Sequence, residues 1–391
     1  MKSNYKRLGD YIKELKVRNT EQKAEKLLGI NIDKFFMPSV ANIVGTDLSV
    51  YKIVKTNQFA CNRMHVGRDY RLPISMSKIE EEFMVSPAYD VFEIKDTKTL
   101  NPEYLMMWFT RREFDRNAWF YTDADVRGGL HWKALCDMQL PIPSITKQRE
   151  IVEEYNVIQD RIKLNEQLIQ KLEETAQAVY KRWFGDFEFP DENGQPYKSK
   201  GGEMVWCEEL GKEIPEGWLL NNLGEVADIK AGGDRPDVFS PIKTETLQVP
   251  IYSNSSENEG LYGYTNKSIV QKDSISISAR GAIIGFTRLR TLPFVPIVRL
   301  IIVTPQQKGQ LNYLYETIRK FTYEGSGSAQ GQLTIPDIAA YRIILPKKSV
   351  LESFQNISQV ITKSIEIFKQ SNLKLTELKD LLLSKLATVE N

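Results

Sequence analysis

The sequence predicts an α/β (α+β) chain in which two pseudo-symmetric domains are separated by two long helices forming an antiparallel coiled coil. Three observations carry that reading. Short motifs occur twice in the same order. Each copy passes through mixed strand and helix patterns to a Leu-Pro. Each Leu-Pro then leads into a long, Pro-free stretch of heptad spacing.

The first copy opens at Arg7-Leu8-Gly9-Asp10-Tyr11-Ile12 and the second at Asn222-Leu223-Gly224-Glu225-Val226, after Ile214-Pro215-Glu216-Gly217-Trp218. In the first, Ser86 to Ile94 reads as a strand entered from a turn, and Tyr104 to Phe114 as a helix. In the second, Ser274-Ile275-Ser276-Ile277-Ser278 alternates as a half-buried strand does. Phe294 to Val303 reads as another strand, and Leu311 to Phe321 as a helix. The copies reach Leu140-Pro141 and Leu345-Pro346.

From about 147 to 184, apolar side chains fall at Ile151, Tyr155, Ile158, Ile162, Ile169, Leu172, Ala176, Val179 and Trp183. With Asn165 included, the steps alternate four and three, which is a seam of period 3.5. Moving that pattern along by 206 residues gives Ile357, Ile361, Ser364, Phe368, Ser371, Leu375, Leu378 and Leu382. Each helix should be about 55 Å long at about 1.5 Å per residue. Two such stripes in one chain most simply cover each other. The expected organisation is a first domain over 1–143 and a central helix over 144–189. A Pro/Gly-containing polar linker follows over 190–209, then a second domain over 210–346 and a C-terminal helix over 347–391.

Lys and Arg number 52 against 51 Asp and Glu in 391 residues, a net charge of +1. That excludes a generic polyelectrolyte binder, so any nucleic-acid surface must be local. No apolar run reaches the roughly 20 residues of a membrane span, and MKSNYKRLGD lacks a signal-peptide core. Cys61, Cys136 and Cys207 are odd in number and far apart, which argues against a disulfide framework or a Cys-based zinc site. A cytoplasmic protein without membrane partners is expected.

No G-x-x-x-x-G-K-[ST] phosphate loop is present, nor the Asn/Asp-Pro-Pro-aromatic pocket of amino-methyltransferases. Gly325-x-Gly327 lacks a strand–turn–helix setting and reads as a flexible turn. His65 and His131 are the only histidines. Asp90, Glu93 and Lys95 resemble the acid-acid-lysine set of a metal-dependent nuclease. However, residues three apart on a strand point to opposite faces, so this reads as a solvated strand end. No catalytic or metal-binding residue is assigned.

Asn62-Arg63-Met64-His65-Val66-Gly67-Arg68-Asp69-Tyr70-Arg71 mixes the donors and acceptors that base-edge reading needs. The candidates there are Asn62, Arg63, His65, Arg68, Asp69 and Arg71. A second cluster, Arg127-Gly128-Gly129-Leu130-His131-Trp132-Lys133, offers Arg127, His131 and Lys133, with glycines that allow close approach to a ligand. The second domain offers Asn254, Arg280, and Ser326, Ser328, Gln330 and Gln332 of the Gly-rich run before Leu333. Arg111, Arg112 and Arg116 could contact phosphates.

These residues, with Ser86-Pro87-Ala88-Tyr89, Ser278-Ala279-Arg280-Gly281-Ala282-Ile283-Ile284-Gly285, and Leu140-Pro141-Ile142-Pro143 leading to Gln148-Arg149-Glu150-Ile151-Val152, resemble the specificity subunit of type I restriction-modification systems. The resemblance covers nearly the whole chain and rests on motif order and duplication, not on any single motif. It implies two target-recognition domains, each reading half of a bipartite double-stranded DNA site through the major groove. The helical spacer would set the half-site distance and dock two methyltransferase subunits. Those subunits would bind S-adenosylmethionine and methylate adenine, and restriction subunits would add ATP/Mg-driven translocation and cleavage. The chain itself would be a non-catalytic subunit that holds no cofactor. The rival readings are a protein-interaction scaffold that never touches DNA, and the nuclease.

Overall fold

In the computed structural model, which describes residues 5–40, 45–64, 66–122, 128–323 and 332–389, the chain forms two units. Residues 1–165 with 370–391 make one, and 166–369 make the other.

The first unit holds a four-stranded sheet in the order Ile12–Leu15, Asp90–Ile94, Phe59–Cys61, Ile74–Met76, with every neighbouring pair antiparallel. The second repeats that order with Ala227–Ala231, Ile301–Pro305, Ser274–Ile277 and Thr287–Arg290, again antiparallel. Antiparallel sheets packed on helices make each unit α+β. In both, the strand leading to the long helix pairs with the strand opening the copy: Gln139–Pro141 with Tyr5–Arg7, and Arg342–Leu345 with Leu219–Asn222.

The duplicated Leu-Gly-acid motif has a packing cause. A Cβ on Gly9 would stand 2.8 Å from Cys136 Cβ, and one on Gly224 would stand 2.9 Å from Ala339 Cβ. Glycine therefore lets the short helices Trp132–Asp137 and Ile335–Ala339 pack closely. Leu8 and Leu223 are buried beside them. Two glutamines repeat as well. Gln148 Oε1 accepts from Asn101 N at 2.8 Å, and Gln355 Oε1 accepts from Asn312 N at 3.3 Å. Each bond ties a long helix to the shorter helix of its domain.

Local departures from expectation have specific causes. The expected helix from Tyr104 becomes Pro102–Thr110, capped by the Asn101 side chain, followed by Arg112–Phe120 after extended backbone at Arg111. Ser274–Ile277 is buried on both faces, because its hydroxyls are satisfied inside: Ser274 Oγ lies 2.8 Å from Thr304 Oγ1, and Ser276 Oγ accepts from Arg290 Nε at 3.0 Å. The stretch expected as one strand from Phe294 is broken at Val298 and Arg299, which both adopt positive φ, into the short strand Val295–Pro296 and the strand Ile301–Pro305. Residues 190–209, read as a linker, are folded. Tyr197 stacks on Phe189 at 4.5 Å, Phe189 stacks on Trp218 at 5.1 Å, and Met204–Cys207 forms a hairpin with Lys212–Pro215.

The central helix spans Ile145–Tyr180 and continues into a π-turn over Lys181–Gly185; the C-terminal helix spans Lys348–Lys385. In the first unit, the start of the central helix runs antiparallel to the end of the C-terminal helix. Asn165 Nδ2 donates to Asn372 Oδ1 at 2.7 Å and to Ser371 Oγ at 3.4 Å, while Ile151 and Val152 share a core with Leu383 and Leu386. In the second unit the other halves meet, with Phe354 against Tyr180, Trp183 and Phe184 at ring distances of 4.9–6.2 Å.

Every expected seam position of the central helix from Ile151 through Ile158, Ile162, Asn165, Ile169 and Leu172 to Val179 is buried or half-buried, as is Tyr155. The C-terminal helix requires a correction. Ile361, Phe368, Leu375 and Leu382 are half-buried, but Ile357 and Leu378 are 42% and 48% exposed. The buried line runs instead through Leu351, Phe354, Ser358, Ile361, Ile365, Phe368, Asn372, Leu375 and Leu382. Ser364 and Ser371 are half-buried as expected, so the 206-residue displacement errs at Ile357 and Leu378, each one residue short of the buried Ser358 and the half-buried Lys379. One residue is about 100° of helix rotation at 3.6 residues per turn, enough to move a side chain from seam to flank.

Candidate nucleic-acid interface

In the first unit, strand Phe59–Cys61 ends in a loop that folds back on the strand's own partner. Asn62 N donates to Pro73 O at 2.8 Å, and Asn62 Oδ1 accepts from Met64 N at 3.2 Å, an Asx turn. The loop continues into the helical turn Val66–Asp69. The Gly-rich segment sixty residues later lies against it. Leu130 N donates to Arg63 O at 3.0 Å, and Gly67 N donates to Gly128 O at 2.7 Å. A Cβ on either Gly67 or Gly128 would meet the other glycine's Cα at 2.7 Å, and Gly128 has φ +55°. The sequence suggested that Gly128 allows approach to a ligand; the approach it makes is to the partner loop's backbone.

The second unit builds the same joint. Strand Ser274–Ile277 ends in a hairpin closed by Ser278 N to Phe286 O and Gly285 N to Ser278 O, both 2.9 Å. Leu333 N donates to Ala279 O at 2.9 Å, as Leu130 does to Arg63, and Gln332 bridges Arg280. In each copy a segment far along the chain is thus bonded at the strand end, Gly128–Leu130 in the first unit and Gln332–Leu333 in the second.

The expected contact residues divide by what they already hold. Arg63 donates from Nε to Asp90 Oδ2 and from Nη1 to the Leu130 carbonyl, with its side chain 21% and that of Asp90 10% exposed. Burial alone would lower the Arg63 pKa, but the Asp90 carboxylate outweighs it, and the guanidinium stays above its ordinary value. Asn254 is likewise engaged: its Nδ2 donates to the Val298 carbonyl, and its Oδ1 accepts from Ala279 N at 2.8 Å. These two side chains shape the loops. Burial, followed by the nearby Asp90, pushes the Cys61 thiol up, which leaves it unreactive at the strand end.

Arg68 is exposed and pairs with its neighbour Asp69 through two bonds of 2.7 and 3.0 Å, which raise its pKa. Arg71 Nη1 donates to Asp33 Oδ1 at 2.7 Å. His131, Lys133 and Arg280 are exposed, and Gln332 is half-buried. His65, Arg127, Ser326, Ser328, Gln330 and the Gly325-x-Gly327 turn lie outside the described residues. Among the arginines expected at phosphates, Arg112 and Arg116 are exposed, but Arg111 is 6% exposed and lies over the Trp108 ring at 4.2 Å. Burial lowers its pKa, so Arg111 belongs to the core.

Sequence reading missed the carboxylate that anchors this region. Asp115 Oδ1 accepts from Leu72 N at 3.1 Å and from Lys34 Nζ at 2.7 Å. Lys34 and Asp115 are 81 residues apart, and no local pattern joins them.

The nuclease set does not assemble. Asp90 is held by Arg63, Glu93 by Lys13 at 2.8 Å, and Lys95 Nζ by the carbonyls of Gly9 and Asp10. Among the described residues no group of three or more His, Cys, Asp and Glu could hold a metal ion, and no helix is long and apolar enough to cross a membrane.

Residues 215–380 match the family model described as the type I restriction modification DNA specificity domain. The chain is similar to the type I restriction enzyme MjaIX specificity subunit of Methanocaldococcus jannaschii, at 27% identity over 285 residues, covering 67% of this chain and 64% of that protein, just under two thirds of its length. It is also similar to the type I restriction enzyme HindI specificity subunit of Haemophilus influenzae, at 22% identity and 92% coverage of each. In fold it resembles the crystal structure of the type I restriction-modification system S subunit from M. genitalium, with a TM-score of 0.59 and 14% identity over 99% of this chain and 96% of that one. The matched domain and these relatives make the chain similar to type I restriction-modification specificity subunits.

Proposed function

We propose that the chain is the non-catalytic DNA-reading subunit of a type I complex, with each duplicated domain reading one half of a bipartite double-stranded site. The observation that carries this is the repeated joint. In both units a loop leaving the sheet's third strand is tied to a segment far along the chain, Gly128–Leu130 or Gln332–Leu333, and Arg68 or Arg280 stands exposed nearby. Exposed arginines serve both phosphate positioning and bidentate guanine contact. Half-sites about one helical turn apart suit a paired reader.

The long helices supply the docking surface for two methyltransferase subunits. Val157, Leu164, Leu373 and Leu381 in the first unit are 45–63% exposed, and Val360 and Ile367 in the second are 64% and 67% exposed. Apolar faces of this kind mark protein contacts. S-adenosylmethionine belongs to those partners, ATP and Mg to restriction subunits, and the assembly to the cytoplasm. The test is to map methylated adenines in host DNA with and without this chain. Loss of one bipartite motif is the expected result. Unchanged methylation, with the chain still bound to other proteins, would favour a scaffold.

A further inference from the structure

We propose that Tyr70, Trp119, Phe120 and Tyr121 form an apolar contact to DNA beside the half-site read by the first unit. The inference rests on the DNA-reading function proposed above and adds a specificity element to it.

These four rings are 62%, 45%, 76% and 54% exposed. Tyr70 and Trp119 lie 5.3 Å apart between centroids, as do Phe120 and Tyr121. Their position is fixed from behind. Helix Arg112–Phe120 buries Phe114 and Ala118, which turns its last aromatic residues outward. Tyr70, at φ +57°, follows the turn that carries Arg68, and Gly67 of that turn is bonded to Gly128. The patch therefore adjoins the candidate loop.

The surrounding charge selects the partner. Arg68, Arg71 and Arg116 have side chains 69%, 51% and 72% exposed, and Arg112 is exposed as well. Three of them hold single carboxylates, Asp69, Asp33 and Glu113, in solvated pairs. Such pairs are weak in water and yield readily to phosphates. Aromatic rings bordered by arginines suit a polyanion that also offers apolar surface, as DNA does at thymine methyls and base steps.

The aromatic residues that follow the matching helix of the second unit are arranged differently. There Phe321 stacks on Tyr341 at 4.0 Å, and Tyr323 packs edge-on to the same ring at 5.8 Å, so these aromatics are turned inward.

The experiment uses the full chain assembled with its methyltransferase subunits and a duplex bearing the methylated motif. Affinity is measured across a salt series for wild type, F120S/Y121S, Y70S and R112Q/R116Q. The two aromatic variants should lose about tenfold in affinity at every salt concentration with the slope of log K against log salt unchanged. Removing phosphate contacts should instead flatten the slope by about one per contact. Unchanged affinity in the aromatic variants, a flattened slope in them, or loss of methyltransferase association would each overturn the contact. Failure of the wild-type assembly to prefer its motif would overturn the DNA-reading function as well.

Discussion

Two arginines five residues apart do different work. Arg63 neutralises the nearly buried Asp90 and joins strand, loop and Gly-rich segment. Arg63→Ala strands that carboxylate and should cost about 3 kcal/mol, the low end for breaking a buried pair. Arg68→Ala removes only a solvated pair and should change stability by less than about 0.5 kcal/mol while weakening recognition of one half-site. Thermal unfolding beside a DNA-binding assay separates the two effects. The sequence displays both arginines equally. It does not display Asp90 beside one of them, because that proximity is made by the pairing of Cys61 with Asp90 across the sheet. Asp33, Lys34 and Asp115 were hidden because their partners are 38 and 81 residues away in sequence and no local pattern joins them.

Glu316 is the buried acid that tests the core of the second unit. It is 5% exposed on the helix Leu311–Ile318, and burial raises its pKa against the opposing pull of Arg319 at 3.3 Å. An acid whose folded pKa is raised binds more protons folded than unfolded, so stability falls as pH rises from the ordinary value of 4.5 through the folded one. Glu316→Gln should therefore raise the melting temperature near pH 7.5, and the gain should shrink towards pH 4.5. A gain independent of pH would contradict this.

At the scale of elements, the long helices were legible because heptad spacing persists over many turns, and Asn165 was legible as their polar position. Its Oδ1 is buried without a partner while Nδ2 bonds Asn372. A buried Asn of this kind fixes register at some cost in stability. Two seam positions of the C-terminal helix, Ile357 and Leu378, were misread because they are as apolar as the true seam residues, and composition does not distinguish seam from flank. Phe354→Ala, at a fully buried position, should cost about 3–5 kcal/mol. Ile357→Ala should stay within about 0.5 kcal/mol, as at exposed sites generally. Denaturant titration of both variants checks the register, and equal losses would restore the earlier one.

At the scale of the molecule, the duplication could be read from two Leu-Gly-acid motifs, two Leu-Pro strands and two helices, and the sheets repeat it strand for strand. The joint between the strand-end loop and the Gly-rich segment was half legible. Sequence placed both clusters in both copies, but their meeting depends on backbone bonds such as Leu130 to Arg63 and Leu333 to Ala279. The folded 190–209 segment was illegible because its Pro and Gly resemble a linker's, while its anchors Phe189 and Trp218 stand outside or at a distance.

The central claim is that each copy reads its own half-site. It is tested most directly by sequencing methylated adenines made by complexes carrying wild-type chain, Arg68→Ala or Arg280→Ala. Wild type should mark a bipartite motif, and each variant should blur a different half while leaving the other intact. A single uninterrupted motif, or both halves degrading together in either variant, would contradict it.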